Sequence, residues 1–283
     1  MAARPDLSKL VGMSGWLALE DLEEACDTLR ALGFEGIGVF HAQVASRLIA
    51  APVYEGHYRA AGDVIREAGL IVSTLNVIRE RDEFDPFGSD ESRPAAAARL
   101  AADLRMAVAM GAPGVLIWDG RVDDEHGADA APALLAECIE RARDLAGLAD
   151  PPEISLELHP FTFALKYGRL VPLAEALSSI GAGICVDFCH FGVALGPAFY
   201  EAIDDSVMAA VSEIHYSDTD CVTSEFHYPP GRGILDMSRV ADRFAGRGVP
   251  ASLDLFQWPA PRAAVRSSME AYRDFVMRLS GAP

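Results

Sequence analysis

Short apolar runs rich in Val and Ile recur along this 283-residue chain, each followed by a longer Ala-, Leu-, Glu- and Arg-rich stretch with helical spacing. That alternation is the signature of repeated βα units. The spacing predicts eight strands, at Leu10–Met13, Gly36–Phe40, Ile71–Asn76, Gly114–Trp118, Ile154–Glu157, Gly183–Asp187, Glu213–Tyr216 and Ala251–Leu255. Helices are signalled between them, among others Leu19–Leu32, which stops at Gly33, and Pro94–Met110, which stops at Gly111. Alternating elements imply a parallel sheet, and closure removes its edges, so the expected fold is a single-domain (β/α)8 TIM barrel. The length suits one such barrel better than two domains. An open doubly wound sheet is the runner-up, weakened because no GxGxxG follows the first strand and Gly231-Arg232-Gly233 comes far too late. The Pro/Asp-rich stretch Arg81–Pro94 reads as a long loop after the third strand, at the barrel mouth.

Composition narrows the partners. With 24 Lys+Arg against 42 Asp+Glu the formal net charge is -18, a field that repels phosphate backbones and anionic membranes, so no nucleic acid is expected. No run reaches the roughly 20 apolar residues of a membrane helix. The start MAARPDLSKLVGM lacks the apolar core of a secretory signal, so a cytoplasmic location is expected. Five cysteines without CxxC pairs are expected to be reduced thiols.

In a parallel barrel the C-terminal strand ends converge on one mouth, however far apart they lie in sequence. The fifth to eighth predicted strands end in Glu157 (SLELHP), Asp187 (ICVDFCH), His215 (EIHYSD) and Asp254 (SLDLF). Singly, a strand-end carboxylate caps the next helix and a histidine is merely satisfied. Together, four inward ionisable groups demand a cation, and three carboxylates with one imidazole suit Mn2+, Mg2+, Co2+ or Zn2+. His190, three residues after Asp187, is placed to reach a substrate oxygen or a second metal, and His159 lies two residues beyond Glu157. Asp218 is placed to orient His215 through its other ring nitrogen, unless it is a loop acid without a role. Cys185 and Cys189 flank Asp187, but neither is assigned as a nucleophile. Trp118 ends the fourth strand and, with Trp16, Phe40, His41, Phe161 and Trp258, offers an aromatic wall for a sugar-like ligand.

These residues resemble the xylose isomerase-like superfamily of barrels, which includes sugar phosphate isomerases/epimerases, ketose 3-epimerases, hydroxypyruvate isomerase, inosose dehydratase and endonuclease IV. The resemblance covers nearly the whole chain. Its specific part is the ordered set Glu157, Asp187-Phe188-Cys189-His190, His215-Tyr216-Ser217-Asp218, Pro230-Gly231-Arg232-Gly233-Ile234-Leu235-Asp236 and Asp254. The resemblance implies that Glu157, Asp187, His215 and Asp254 bind one divalent metal, commonly Mn2+, and that His190 contacts substrate. In the epimerases and isomerases the first and last acidic ligands also pass a proton through a metal-held enediolate, which implies catalytic roles for Glu157 and Asp254.

The chain departs from the family in ways that bear on chemistry. The last ligand, usually Glu in epimerases, is Asp254 here and one methylene shorter. Ketose 3-epimerases carry an Arg and a second Glu where this chain has His227 and Phe163, so a free ketohexose held in that manner is not expected. Glu225-Phe226-His227 instead resembles the Asp-x-His of endonuclease IV, which there holds another metal, but of the further histidines that enzyme needs only His41 matches. The resulting expectation is a metal-dependent isomerase/epimerase acting on a small sugar or keto-sugar. Glu157 is the base, and His190, His227, Arg232, Trp118 and His159 bind substrate. The runner-up is a lyase or dehydratase eliminating a group β to a carbonyl. An endonuclease-like phosphodiesterase and a non-catalytic binding subunit rank below it. Apart from Arg79 and Arg232 the mouth lacks cations, against a phosphorylated substrate. The helix around Ala263–Leu279 offers a surface through which subunits could pair as a homo-oligomer.

Overall fold

The computed structural model describes residues 9–17, 20–45, 55–77, 84–122 and 124–281. Eight strands follow one another around a closed ring: β1 Val11–Met13, β2 Gly36–Phe40, β3 Ile71–Asn76, β4 Gly114–Trp118, β5 Glu153–Glu157, β6 Gly183–Asp187, β7 Val211–Tyr216 and β8 Ala251–Leu253. All neighbours are parallel and β8 returns to β1, so the chain is a (β/α)8 barrel, as expected. Each predicted strand is present. β8 ends two residues early, at Leu253, because the Asp254 carboxylate accepts from the Phe256 backbone N–H at 3.0 Å. At β7 the strand starts two residues earlier than expected, at Val211.

Helices wrap the outside and bury one face each. The predicted helix Leu19–Leu32 begins at Leu22, because Asp21 accepts from Glu24 N–H while the Glu24 side chain accepts from Asp21 N–H. Leu19 lies outside the described residues. The helix expected at Pro94–Met110 spans Arg93–Met110 and ends on Gly111 at φ 85°. Of the loop Arg81–Pro94, residues 81–83 lie outside the described residues, and Phe87 packs edge-on against Phe163 at 5.4 Å. Among the described residues no helix is long and apolar enough to cross a membrane.

Two local features position the mouth. A register shift between β6 and β7 at Ile184/Cys185 brings Asp187 level with His215, while β4 and β5 pair Trp118 with Glu157. The β1–β8 seam has only two register pairs, Val11↔Ser252 and Gly12↔Leu253. Across it, the buried Tyr272 hydroxyl lies 2.8 Å from the Val11 carbonyl and 2.9 Å from the Ala251 carbonyl, clamping a short joint of the barrel.

Candidate metal centre and substrate cavity

Glu157, Asp187, His215 and Asp254 meet at the mouth, each offering one donor atom within 4.8 Å of the others, and all four are buried. Each carboxylate has its oxygens committed differently. Asp187 closes β6 and caps the helix Phe188–Leu195, its Oδ1 accepting from Cys189 N–H at 2.8 Å and His190 N–H at 3.1 Å. Its Oδ2 has no hydrogen-bond partner and faces His215 Nδ1 at 3.5 Å. The oxygen that caps the helix and the oxygen that faces the cluster are therefore different atoms of one side chain. Asp254 repeats the device: Oδ1 accepts from Phe256 N–H, and Oδ2 lies 3.8 Å from His215 Nδ1. Glu157 Oε1 sits 2.9 Å from the same nitrogen.

The electrostatics fit a cation. Burial pushes the Glu157 carboxyl up, but His215 and His159 outweigh it and hold the group well below its usual range. Asp187 is likewise held low against burial by His227 and His190. Burial raises Asp254, with His227 and His215 pulling the other way. Among the described residues no lysine or arginine lines the cavity of about 180 Å3 onto which Glu157 and Asp254 open. Three buried carboxylates converging on one imidazole, with the Glu157 Oε2 and Asp187 Oδ2 oxygens unpartnered, are a donor set that could hold one divalent ion. A more open depression of about 650 Å3 alongside shares Gly15 and Phe256, but its charged members Glu20 and Arg262 pair with each other.

The other predicted residues divide. His159, His190, His227 and Trp118 all line the cavity. His159 sits between Trp118 and His190, with ring centroids 4.3 and 3.9 Å away and the rings tilted to one another. Despite burial its pKa rises to about 9, because Glu157 and Glu225 flank it. Burial and the neighbouring His159 push His190 down to about 4, leaving it neutral. His227 Nδ1 lies 3.7 Å from both Asp187 Oδ2 and Asp254 Oδ2, so it borders the ligand cluster. Arg232 is exposed on its turn and is absent from the cavity lining. Arg79 lies outside the described residues.

Asp218 does not orient His215. Its carboxylate accepts from the backbone N–H groups of Thr219, Gly231, Gly233 and Leu235 at 2.8–3.1 Å and so cradles the Gly-rich turn. A Cβ on Gly233 would meet the Thr219 carbonyl at 2.3 Å, so only glycine fits there. The residue facing His215 Nε2 is Glu213, two positions earlier on β7, with its Oε1 at 3.8 Å. Sequence reasoning missed it, although an acid inside a buried apolar strand was the available signal. It also missed Asn76, which ends β3 and lines the cavity with an unpartnered Oδ1. The Glu225/His227 pair is split: Glu225 turns to His159 and His190, at 3.4 and 3.9 Å. The aromatic wall is partial, with Phe40 at the cavity, Trp16 donating to the Leu253 carbonyl, His41 against Tyr58 and Trp258 packed on Phe226 and Tyr228.

Solved structures share this fold. D-psicose 3-epimerase from Clostridium cellulolyticum, solved with D-tagatose, superposes with a TM-score of 0.71 at 14% identity, covering 96% of this chain and 99% of that one. The probable 3-DHS dehydratase AsbF from Bacillus anthracis gives 0.67 at 14%, with 93% and 98% covered. Endonuclease IV from Thermus thermophilus gives 0.65 at 18%, with 95% and 98% covered. Three different chemistries on one scaffold mean that the fold does not choose among them. No curated protein matches the chain in sequence. Residues 26–275 match the family profile described as xylose isomerase-like TIM barrel, and the chain belongs to that family.

Proposed function

We propose that the chain is a divalent-metal-dependent isomerase or epimerase of a small sugar or keto-sugar. The observation that carries the reading is the buried Glu157, Asp187, His215 and Asp254 cluster, of which Glu157 and Asp254 line a cavity of about 180 Å3. A divalent ion bound there, Mn2+ being the first choice and Mg2+, Co2+ or Zn2+ the alternatives, would polarise a carbonyl and stabilise negative charge on adjacent oxygens. Glu157, ionised and presenting Oε2 to the cavity, takes the proton from carbon. Burial raises the Asp254 carboxyl, the direction that suits a group exchanging a proton with substrate, although its tie to Phe256 N–H limits its reach. His190, neutral, binds a substrate hydroxyl, with His227 and His159 beside it. Trp118 walls the ring face of the substrate. The absence of lysine and arginine from the described lining favours an unphosphorylated ligand.

A lyase eliminating a group β to a carbonyl is the second reading. It is favoured by His159, whose imidazolium is placed 3.8 Å from Glu157 Oε2 to protonate a leaving group. The likeness of fold to a dehydratase is compatible with it. Phosphodiester cleavage lacks support, since no lysine or arginine lines the cavity among the described residues and the net charge is -18.

Incubation of the Mn2+-loaded chain with a panel of keto-sugars in D2O, read by mass spectrometry, tests the reading. Deuterium gained without other change of mass identifies an isomerase, and loss of water or an aglycone identifies a lyase. Metal-loaded protein that does neither would make a binding role the better account. Full activity in a Glu157→Gln variant that still holds metal would remove Glu157 as the base.

A further inference from the structure

The cavity at the mouth has two unlike walls. Strands β5–β8 and the segments that follow them supply its ionisable groups, Glu157, His159, His190, Glu225, His227 and Asp254. From β1–β4 come Met13, Phe40 and Trp118, with Asn76 as the one polar side chain on that side among the described residues. A ligand held there presents oxygens to one wall and an apolar face to the other. The space is also short. At about 180 Å3 it falls below the roughly 300–1,000 Å3 of pockets that enclose drug-sized ligands.

The neighbouring depression of about 650 Å3 has that size, and the two spaces meet at Gly15 and Phe256, which line both. At Gly15 the partition is low, since a Cβ there would meet nothing nearer than Phe256 Cδ2, at 3.9 Å. Trp16, Phe256 and Trp258 line the depression together with Pro259 and Pro261. Two of the rings are held: Trp16 Nε1 donates to the Leu253 carbonyl at 3.3 Å, and Trp258 packs on Phe226 and Tyr228 with centroids 5.3 and 5.2 Å away. Glu20 and Arg262 pair with each other, so the depression carries no net charge among its described residues. Between Phe256 and Trp258, Gln257 takes φ 59°, a left-handed conformation that disfavours any side chain but glycine's. Strain of this kind concentrates where a segment holds a ligand, and here it leaves an exposed amide in the lining.

We propose that the substrate is a sugar bearing an apolar ring substituent. The sugar fills the smaller cavity, and the substituent crosses Gly15 to lie among Trp16, Phe256 and Trp258, where the Gln257 amide meets its polar edge. A second sugar unit suits the depression less well, because its hydroxyls would need partners and only Gln257 offers one beyond the paired Glu20 and Arg262. The proposal names the substrate class of the cavity described above and rests on the sugar-binding reading of it.

Calorimetric titration of the Mn2+-loaded chain with a panel of hexoses, each as its methyl and its 2-naphthyl glycoside, tests it. The naphthyl member of a bound pair is expected to bind about 10- to 100-fold tighter, the gain from burying about 100 Å2 of apolar surface. Gly15→Val raises the partition between the two spaces. Ala263→Glu sets a carboxylate into the depression from an exposed position in the first turn of the helix Pro261–Ser280, where an acid suits the helix. Each variant should shrink the preference to about threefold or less, and Ala263→Glu should leave the methyl glycoside's affinity at the wild-type value. The Ala263→Glu arm decides alone should Gly15→Val fail to fold. Equal affinities within every pair in wild type overturn the substituent and leave the sugar-binding reading standing. No glycoside bound by metal-loaded protein overturns both. A naphthyl preference that survives Ala263→Glu places the ring elsewhere and overturns the proposal. A wild-type dimer that Ala263→Glu takes apart, with no naphthyl preference in either protein, overturns it by giving the depression to a second copy of the chain.

Discussion

Glu213 and His215, both buried on β7, place Oε1 of the acid 3.8 Å from Nε2 of the imidazole, on the side of the ring opposite Glu157. His215 Nδ1 is the nitrogen that faces Glu157, Asp187 and Asp254, so Nε2 must carry the proton when Nδ1 coordinates. Glu213→Gln is expected to weaken Mn2+ binding roughly 10- to 100-fold, as loss of an outer carboxylate does elsewhere. Calorimetric titration of the metal-free protein measures this, and an unchanged affinity would show that Glu213 does not orient the ring.

The divided use of Asp187 predicts a difference between two substitutions. Asp187→Ala removes both the cap of Phe188–Leu195 and the ligand, so the metal-free protein should lose about 1 kcal/mol of stability as well as metal binding. Asp187→Asn keeps a cap acceptor, so its metal-free stability should stay within a few tenths of a kcal/mol of wild type while metal affinity still falls. Urea unfolding of both variants in chelator, paired with metal titration, checks the separation. Equal metal-free destabilisation would mean that the cap contributes nothing.

Asp119, fully buried at the end of β4, carries a pH signature. Burial lifts its carboxyl from the ordinary 3.8 to about 7, although Thr162 and the Ala164 N–H bond to it. Between those values the folded chain binds more protons at this group than the unfolded chain, so its contribution to stability falls as pH rises through that window. The slope from one group reaches at most about 1.4 kcal/mol per pH unit. Asp119→Asn should flatten that part of the profile while retaining an acceptor for Ala164 N–H. Urea midpoints from pH 4 to 8 for both proteins, in chelator, test it, and parallel curves would contradict the shift.

Tyr272→Phe removes the hydroxyl that spans β1 and β8 and keeps the ring that stacks on Tyr216 at 5.4 Å. Leaving buried carbonyls of the seam short of a donor should cost about 1–3 kcal/mol. Thermal unfolding reads the loss, and a variant as stable as wild type would mean that the two register pairs suffice alone.

The eight strands were legible because a closed parallel sheet must be built from repeated apolar runs, and those runs stand out against the helices between them. The ends were less so: β8 stops at Leu253 because Asp254 folds back on Phe256, a side chain-to-backbone bond that no periodicity records. The gathering of Glu157, Asp187, His215 and Asp254 was legible for a topological reason, since strand ends five to eight must converge. Partnerships among loop residues were not. Glu225 and His227 sit two apart in sequence yet serve different neighbours, and Asp218 cradles a turn that begins more than ten residues later. Spacing alone carries no information on where such a loop turns.

The Asp218 cradle has a practical consequence. The segment carrying Glu225 and His227 is tied down by reciprocal backbone bonds between Asp218 and Tyr228, by the anchored glycine turn, and by His227 N–H donating to the Phe256 carbonyl. Its crest is free: Val222 is 78% exposed. A spectroscopic label or an immobilisation handle attached through Val222→Cys would therefore stand a few residues from the chemistry, on a firm base, and report ligand arrival without entering the cavity.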